Sequence, residues 1–255
     1  MAEDPKGFGD RRVCARYGFA ALAALALSSG AMATTLEYSV SIEADSGHAA
    51  SAKFTADQSD QTVSIRISNI MDEAYDSADS RALTGLFFDS NRDFTWNAVE
   101  VVESGTGDMV GSGDFNTPIE YWAYRDELST DDTPFGTQYG LGAAGMGVFN
   151  HQDILSGNGS PPLPNGINGG ILSPTAETYN NQNQTPMWRE SIEFRFFMDE
   201  SFFADGLDGI EFSKVRFQFG SGFNEPSLVP LPAPVLMGAA GLAGVVAIRR
   251  RRSAA

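Results

Sequence analysis

From Leu36 to Glu43 the chain alternates, with Leu36, Tyr38, Val40 and Ile42 apolar and Glu37, Ser39, Ser41 and Glu43 polar. A two-residue period puts the two sets on opposite faces of an extended strand, one toward a core and one toward water. The same alternation recurs from Ala52 to Ala56 and from Val63 to Ile67, and Asp57 to Gln61 between them is a polar turn. Further strands are predicted from Ala82 to Phe88 and from Ala98 to Val102. Late in the chain Ile192, Phe194 and Phe196 alternate with Glu193 and Arg195, and Phe212, Val215, Phe217 and Phe219 with Lys214, Arg216 and Gln218. No segment between residues 34 and 228 shows a helical period, so the pattern predicts an all-β fold, an antiparallel β-sandwich or jelly-roll-like domain.

Between Pro134 and Pro186 the alternation stops, giving way to a Gly/Asn/Pro-rich loop region with Pro161-Pro162-Leu163-Pro164 and the polar run Asn180 to Gln184. A loop region of this length in a compact domain is either functional or loosely ordered. Aromatic residues are interleaved with it, Trp122, Tyr139 and Trp188 among them. Rings beside amides and carboxylates suit a sugar, whose C–H faces stack while its hydroxyls take the polar groups, which makes these three candidate glycan-binding aromatics. The same rings also suit plugs for the ends of a sandwich.

Both ends of the chain depart from this pattern. At the amino end Arg11, Arg12 and Arg16 precede an apolar stretch from Phe19 to Leu27, and Ala31-Met32-Ala33 follows as an A-x-A cleavage site. This arrangement predicts a signal peptide over residues 1–33, engaged by an export translocase and a signal peptidase, with a mature chain beginning near Thr34. At the carboxyl end, residues 229–255 hold Val229, Pro230, Leu231, Pro232 and Ala233, then an apolar run to Ile248, then Arg249, Arg250, Arg251 and Arg252. Prolines keep the segment before the run extended. The run itself spans about 21 Å as a helix, short of a hydrocarbon core of about 30 Å. Four arginines stop transfer and hold the carboxyl end in the cytoplasm, with everything upstream outside.

Without both ends, the charge balance shifts. The chain has 17 basic and 33 acidic side chains, and the domain from 34 to 228 keeps 9 and 30 of them, a net charge near −21. Such a field repels nucleic acid, which is excluded as a partner, and collects divalent cations. The single cysteine, Cys14, lies in the leader, so the domain has no disulfide, thiolate ligand or cysteine nucleophile.

Candidate chemistry is sparse. Asp89, Asn91, Asp93, Thr95, Asn97 and Glu100 fall at the ligand offsets of an EF-hand calcium loop, but Phe94 stands where the sharp turn wants glycine. The flanks read as strands, so a β-hairpin with a polar turn competes with calcium at Asp89, Asn91, Asp93 and Glu100. A looser acidic cluster lies at Asp72, Glu73, Asp76 and Asp79. No G-x-S-x-G elbow is present, and His151-Gln152-Asp153 on a loop makes a poor base and orienter. Catalytic residues and cofactors are therefore assigned as none, and a glycoside hydrolase built on an Asp/Glu pair stays open as the alternative function.

The three-part tail, Val229 to Ala233 followed by apolar run and arginine cluster, resembles the VPLPA-type PEP-CTERM sorting signal. That resemblance covers the final tenth of the chain. It implies transient retention in the inner membrane, an exosortase partner, cleavage near the prolines, and release to the cell surface or extracellular matrix of a Gram-negative bacterium that makes exopolysaccharide. A second series is Leu83 to Asp89, Tyr139-Gly140-Leu141-Gly142 with Phe149, Asn165-Gly166-Ile167, and Phe217-Gln218-Phe219-Gly220. It resembles a family of exosortase-dependent surface proteins, which implies a secreted, non-enzymatic domain of unknown ligand; the function expected is a non-catalytic surface or matrix protein whose acidic sandwich associates with exopolysaccharide.

Overall fold

The amino-terminal alternation becomes three strands joined in sequence: β1 (Thr35–Glu43), β2 (Ala49–Asp57) and β3 (Thr62–Asn69). The turn between β2 and β3 falls where the polar run placed it. There the Asp57 carboxylate accepts hydrogen bonds from the Ser59 amide at 2.9 Å and the Ser59 hydroxyl at 2.6 Å. The structure is a computed structural model describing residues 34–43, 47–71, 82–103, 109–110, 118–130, 132–143, 148–149, 151–156, 169–175, 187–220 and 227–228. The predicted leader over residues 1–33, the carboxyl-terminal tail and the acidic cluster at Asp72 to Asp79 lie outside the described residues. Among the described residues there is no α-helix, only short 3-10 turns, and no helix long and apolar enough to cross a membrane.

The other strands are β4 (Leu83–Ser90), β5 (Trp96–Glu103), β6 (Met109–Val110), β7 (Ala123–Arg125), β8 (Tyr139–Gly142), β9 (Ile171–Leu172), β10 (Met187–Arg189), β11 (Ser191–Met198), β12 (Phe212–Phe219) and β13 (Ser227–Leu228). They form two sheets. One is five-stranded and antiparallel throughout, in the order β1-β2-β3-β11-β5. The other runs β13-β12-β4-β9-β10-β6, with β8 joining β4 and β7 joining β8; its pairings are antiparallel except β9 with β10. The result is mostly β and sandwich-like.

The inward sets of the two sheets meet in one core. Phe54 of β2, Ile65 and Ile67 of β3, and Phe194 and Phe196 of β11 are fully buried against Leu86, Phe88, Phe217 and Phe219 of the second sheet. Phe54 and Phe212 stack across the interface with ring centroids 4.5 Å apart and planes 19° apart. Aromatic pairs of this kind add about 0.5–1.5 kcal/mol beyond the area they bury. In β12 the apolar positions step by three from Phe212 to Val215 before resuming by two. The register with β4 jumps there from Ser213 opposite Asp89 to Arg216 opposite Phe87, and Lys214 takes φ +47°, a bulge that absorbs the extra residue.

The second sheet is covered on both sides. Phe87 faces away from the main core into a smaller cluster with Ala123, Leu128, Phe135, Val148 and Phe149. This cover explains why β4 is buried almost throughout and why it does not alternate in polarity. Gly142 on β8 lies so close that a Cβ there would meet Phe149 at 2.6 Å, a position that only glycine fills without movement.

One expectation fails here. β4 and β5 are not a hairpin: they lie in different sheets, and residues 91–95 carry the chain across the sandwich edge. Phe94 is the reason. Its ring is 1% exposed, and its amide donates to the Tyr139 hydroxyl at 3.2 Å while its carbonyl accepts from the Tyr124 hydroxyl at 3.0 Å. An apolar residue in the middle of a polar turn drives the connection into the core rather than around a solvent-facing hairpin.

Burial pushes up the phenol of Tyr121 to about 12, with Glu120 adding to the effect. The Tyr124, Tyr139 and Tyr38 phenols are raised too, each chiefly by burial. The folded state therefore favours neutral phenols. A group whose pKa rises on folding contributes stability in full below its unfolded value, near 10 for tyrosine, and loses it as the pH climbs to the folded value. Denaturant unfolding should thus show stability declining between pH ~10 and ~12. A spectrophotometric titration of the folded chain should show these four phenols ionising late. Ordinary ionisation of every tyrosine in the folded protein would contradict the burial.

Candidate functional site

The polar sets of β1, β2, β3 and β11 come together on the outer face of the five-stranded sheet. Pairing aligns them in rows. Ser41, Ser51, Ser68 and Ser191 form one row across four strands; Ser39, Lys53, Arg66 and Glu193 form the next; Glu37, Thr55, Ser64, Arg195 and Glu100 the third. Alternation requires this, because a strand that sends one set into the core must send the other out, and neighbours in register stack those sets side by side.

The face carries a shallow groove of about 460 Å³ lined by residues that include Lys53, Thr55, Asp57, Ser64, Arg66 and Glu193. An adjoining hollow of about 270 Å³ continues it past Ser39, Ser41, Ser51 and Ser68. Three of the nine basic residues between 34 and 228 are in these rows, Lys53, Arg66 and Arg195. Each has an acidic neighbour: Lys53 Nζ lies 2.6 Å from Glu37 Oε1, Arg66 Nε 2.8 Å from Glu193 Oε2, and Arg195 Nη1 3.0 Å from Glu100 Oε1. The Lys53–Glu37 and Arg195–Glu100 pairs are exposed, so each is worth no more than about 1 kcal/mol and a ligand can compete for their charges and hydrogen bonds, whereas Arg66–Glu193 is half-buried. The Asp57 carboxyl is held below its ordinary value, first by the Ser59 hydroxyl and then by main-chain amides and Thr35. That direction is opposite to what a general acid needs.

The candidate glycan-binding aromatics are placed otherwise. Trp122 is fully buried, Trp188 is 3% exposed and Tyr139 7%. Trp122 Nε1 donates to the Gly169 carbonyl at 2.8 Å, and its ring lies 5.3 Å from Phe194. Trp188 sits beside Tyr121 at 5.8 Å, and Tyr139 between Phe88 and Phe94. With their faces covered by other rings, they are core residues and offer no platform to a sugar, which corrects the first of the two sequence readings in favour of the second.

The EF-hand spacing does not become a common site. Asp89 is taken by Lys214 Nζ at 2.7 Å and by the Gln138 amide at 2.7 Å. Asn91 donates to the Gly209 carbonyl and accepts from the Glu211 amide, so its side chain bridges main chain where the β4–β12 ladder ends. Asp93 accepts from Thr95, and Glu100 pairs with Arg195 on the outer face. A loop that crosses between sheets spreads the offsets apart instead of wrapping them round an ion, and among the described residues no three acidic or histidine side chains gather as a metal site. His151 and Asp153 share one 3-10 turn.

The outer-face residues were half legible. Alternation marks Glu37, Ser39, Ser41, Glu193 and Arg195 as outward, but which strands are neighbours is not in the local pattern. Comparison with protein-family models, curated proteins and solved structures gives no match to the chain.

Proposed function

We propose that this chain is an exported, non-catalytic cell-surface or extracellular-matrix protein, held in the inner membrane by its tail, released by an exosortase, and associated with exopolysaccharide through the outer face of the five-stranded sheet. Support for the export and sorting steps is the A-x-A leader and the Val229 to Ala233, apolar, Arg249 to Arg252 order. The observation that carries the binding role is the open groove over hydroxyl rows and competing ion pairs. A polysaccharide is a repeating array of hydroxyls, with carboxylates where it contains uronic acids, and a long shallow face lets many weak contacts act together. Lys53, Arg66, Arg195 and the carboxylates paired with them would exchange hydrogen bonds with sugar hydroxyls alongside the serine and threonine rows, and the acidic excess of the domain favours a neutral over an anionic chain.

The test uses protein isolated from its own cells, whose mass first reports whether Arg249 to Arg252 have been removed. Neutral polysaccharide should be retained without release of reducing ends, and Lys53→Ala combined with Arg195→Ala should weaken retention by about tenfold, with unfolding nearly unchanged because both pairs are exposed. Release of reducing sugar would transfer the assignment to the hydrolase alternative. Retention indifferent to the double substitution would remove the face from it.

A further inference from the structure

Among the described residues one sheet ends on β1 and β5 and the branched second sheet on β6, β13 and the three-residue β7, and the chain treats one of these edges differently. β6 and β13 are two-residue strands. β5 is irregular, its register with β11 shifting between Glu193 and Phe194 and again between Phe197 and Met198. Short strands and bulges are the usual means of blunting an edge against pairing with another chain. β1 has neither: nine residues pair with β2 without a shift, and the strand holds no proline, lysine or arginine. Its far side has no neighbour among the described residues. Its inward row is also poorly covered, with Tyr38 37% exposed and Leu36 and Val40 only half-buried.

The hydrogen-bonding parity of that edge can be read directly. The Gln58 amide donates to the Thr34 carbonyl, and the Ile70 amide to the Ala49 carbonyl. In the antiparallel register these fix the even positions of β1 as the ones bonded to β2 and the odd positions of β2 as the ones bonded to β3. The N–H and C=O groups of Thr35, Glu37, Ser39, Ser41 and Glu43 therefore point away from the sheet. We propose that this edge is the pairing surface for β1 of a second copy, the two strands running antiparallel about a two-fold axis at Ser39.

The residues select that register. Centring on Ser39 sets Thr35 against Glu43, Glu37 against Ser41 and Ser39 against itself, so all five outward positions become hydrogen-bonded pairs and no glutamate faces a glutamate. On the inward face Leu36 meets Ile42 and Tyr38 meets Val40, which covers the half-exposed row with its own copy. Centring one residue later, on Val40, opposes Glu37 to Glu43 twice, and centring on Glu37 opposes that residue to itself. A one-residue slip turns the apolar row to the wrong face. The pairing is isologous and closes at two, giving one continuous ten-stranded sheet from two five-stranded ones. The inference goes beyond polysaccharide association and stands whether or not that reading holds.

Full-length chain in mild detergent, followed by sedimentation from about 1 to 100 μM, tests it, a range that covers the micromolar affinities of strand addition. A dimer is expected. Ser39→Pro removes an outward N–H and leaves the β1–β2 ladder intact, so it should weaken the dimer at least tenfold while leaving the unfolding transition in place. Ser41→Glu puts a carboxylate opposite Glu37 of the other copy and should weaken it about tenfold, whereas Ser41→Lys should tighten it several-fold at low salt and lose that gain at high salt. Hydrogen exchange at residues 35, 37, 39, 41 and 43 should slow as concentration rises. A monomer throughout overturns the proposal, as does a dimer or larger assembly unmoved by the Ser39 and Ser41 variants. Protection of those five amides at every concentration overturns it too, since another segment of the same chain would then hold the edge.

Discussion

Phe94→Ala should destabilise the domain by about 3–5 kcal/mol, enough to unfold a marginal fold, and denaturant unfolding of the variant against the parent chain measures it. The ring is almost fully buried and lies within 6 Å of Phe88, Tyr124, Tyr139, Phe196 and Phe202. Those five rings come from both sheets and from the turn after β11, so a cavity here has no single element that can relax into it. Phe94→Leu should recover part of the loss because it refills volume while the Tyr124 and Tyr139 bonds to the main chain of residue 94 persist. A loss below about 1 kcal/mol for the alanine variant would mean that the crossing at residues 91–95 is not what joins the sheets.

Trp122→Ala should have a similar effect, again about 3–5 kcal/mol, with a different second readout. Its indole is fully buried and its N–H satisfies the Gly169 carbonyl. Gly169 has φ +78°, and a Cβ there would come within 2.8 Å of Tyr121. The bond thus ties a tightly constrained turn, and with it the entry to β9, to the sandwich. Trp122→Phe keeps most of the packing but strands that carbonyl, so about 1–3 kcal/mol should be lost. At a temperature where the variant remains folded, polysaccharide retention should match the parent chain. Reduced retention by folded Trp122→Phe would return this aromatic to a binding role that its burial denies.

These two residues show where local pattern stops being informative. A phenylalanine inside Asp-Phe-Thr and a tryptophan inside Tyr-Trp-Ala carry the same signal whether the ring ends in a groove or in a core. Composition names candidates for stacking on sugar, and only the positions of the surrounding rings decide what is left exposed. The EF-hand spacing is a similar case: the offsets are right, but ligation needs a backbone that curls round a point, and Phe94 pulls this one through the sandwich.

Local patterning along the chain is enough to specify the long strands and their faces. Every stretch with clear two-residue alternation became a strand within a few residues of its expected ends, because burying one face and wetting the other is a local constraint that each strand satisfies through its own residues. Tertiary structure alone decided the membership of the two sheets, the separation of β4 from β5, and the outer-face rows that bring Lys53, Arg66 and Glu193 side by side. It also decided the short strands β6 to β10 and β13, which at two to four residues are too brief to show a period: β8 and β9 form against β4 and β13 against β12, and β7, β10 and β6 add to these short strands in turn. Pairing between distant segments depends on which hydrophobic faces close over one another, and that is a property of the whole chain rather than of any stretch within it.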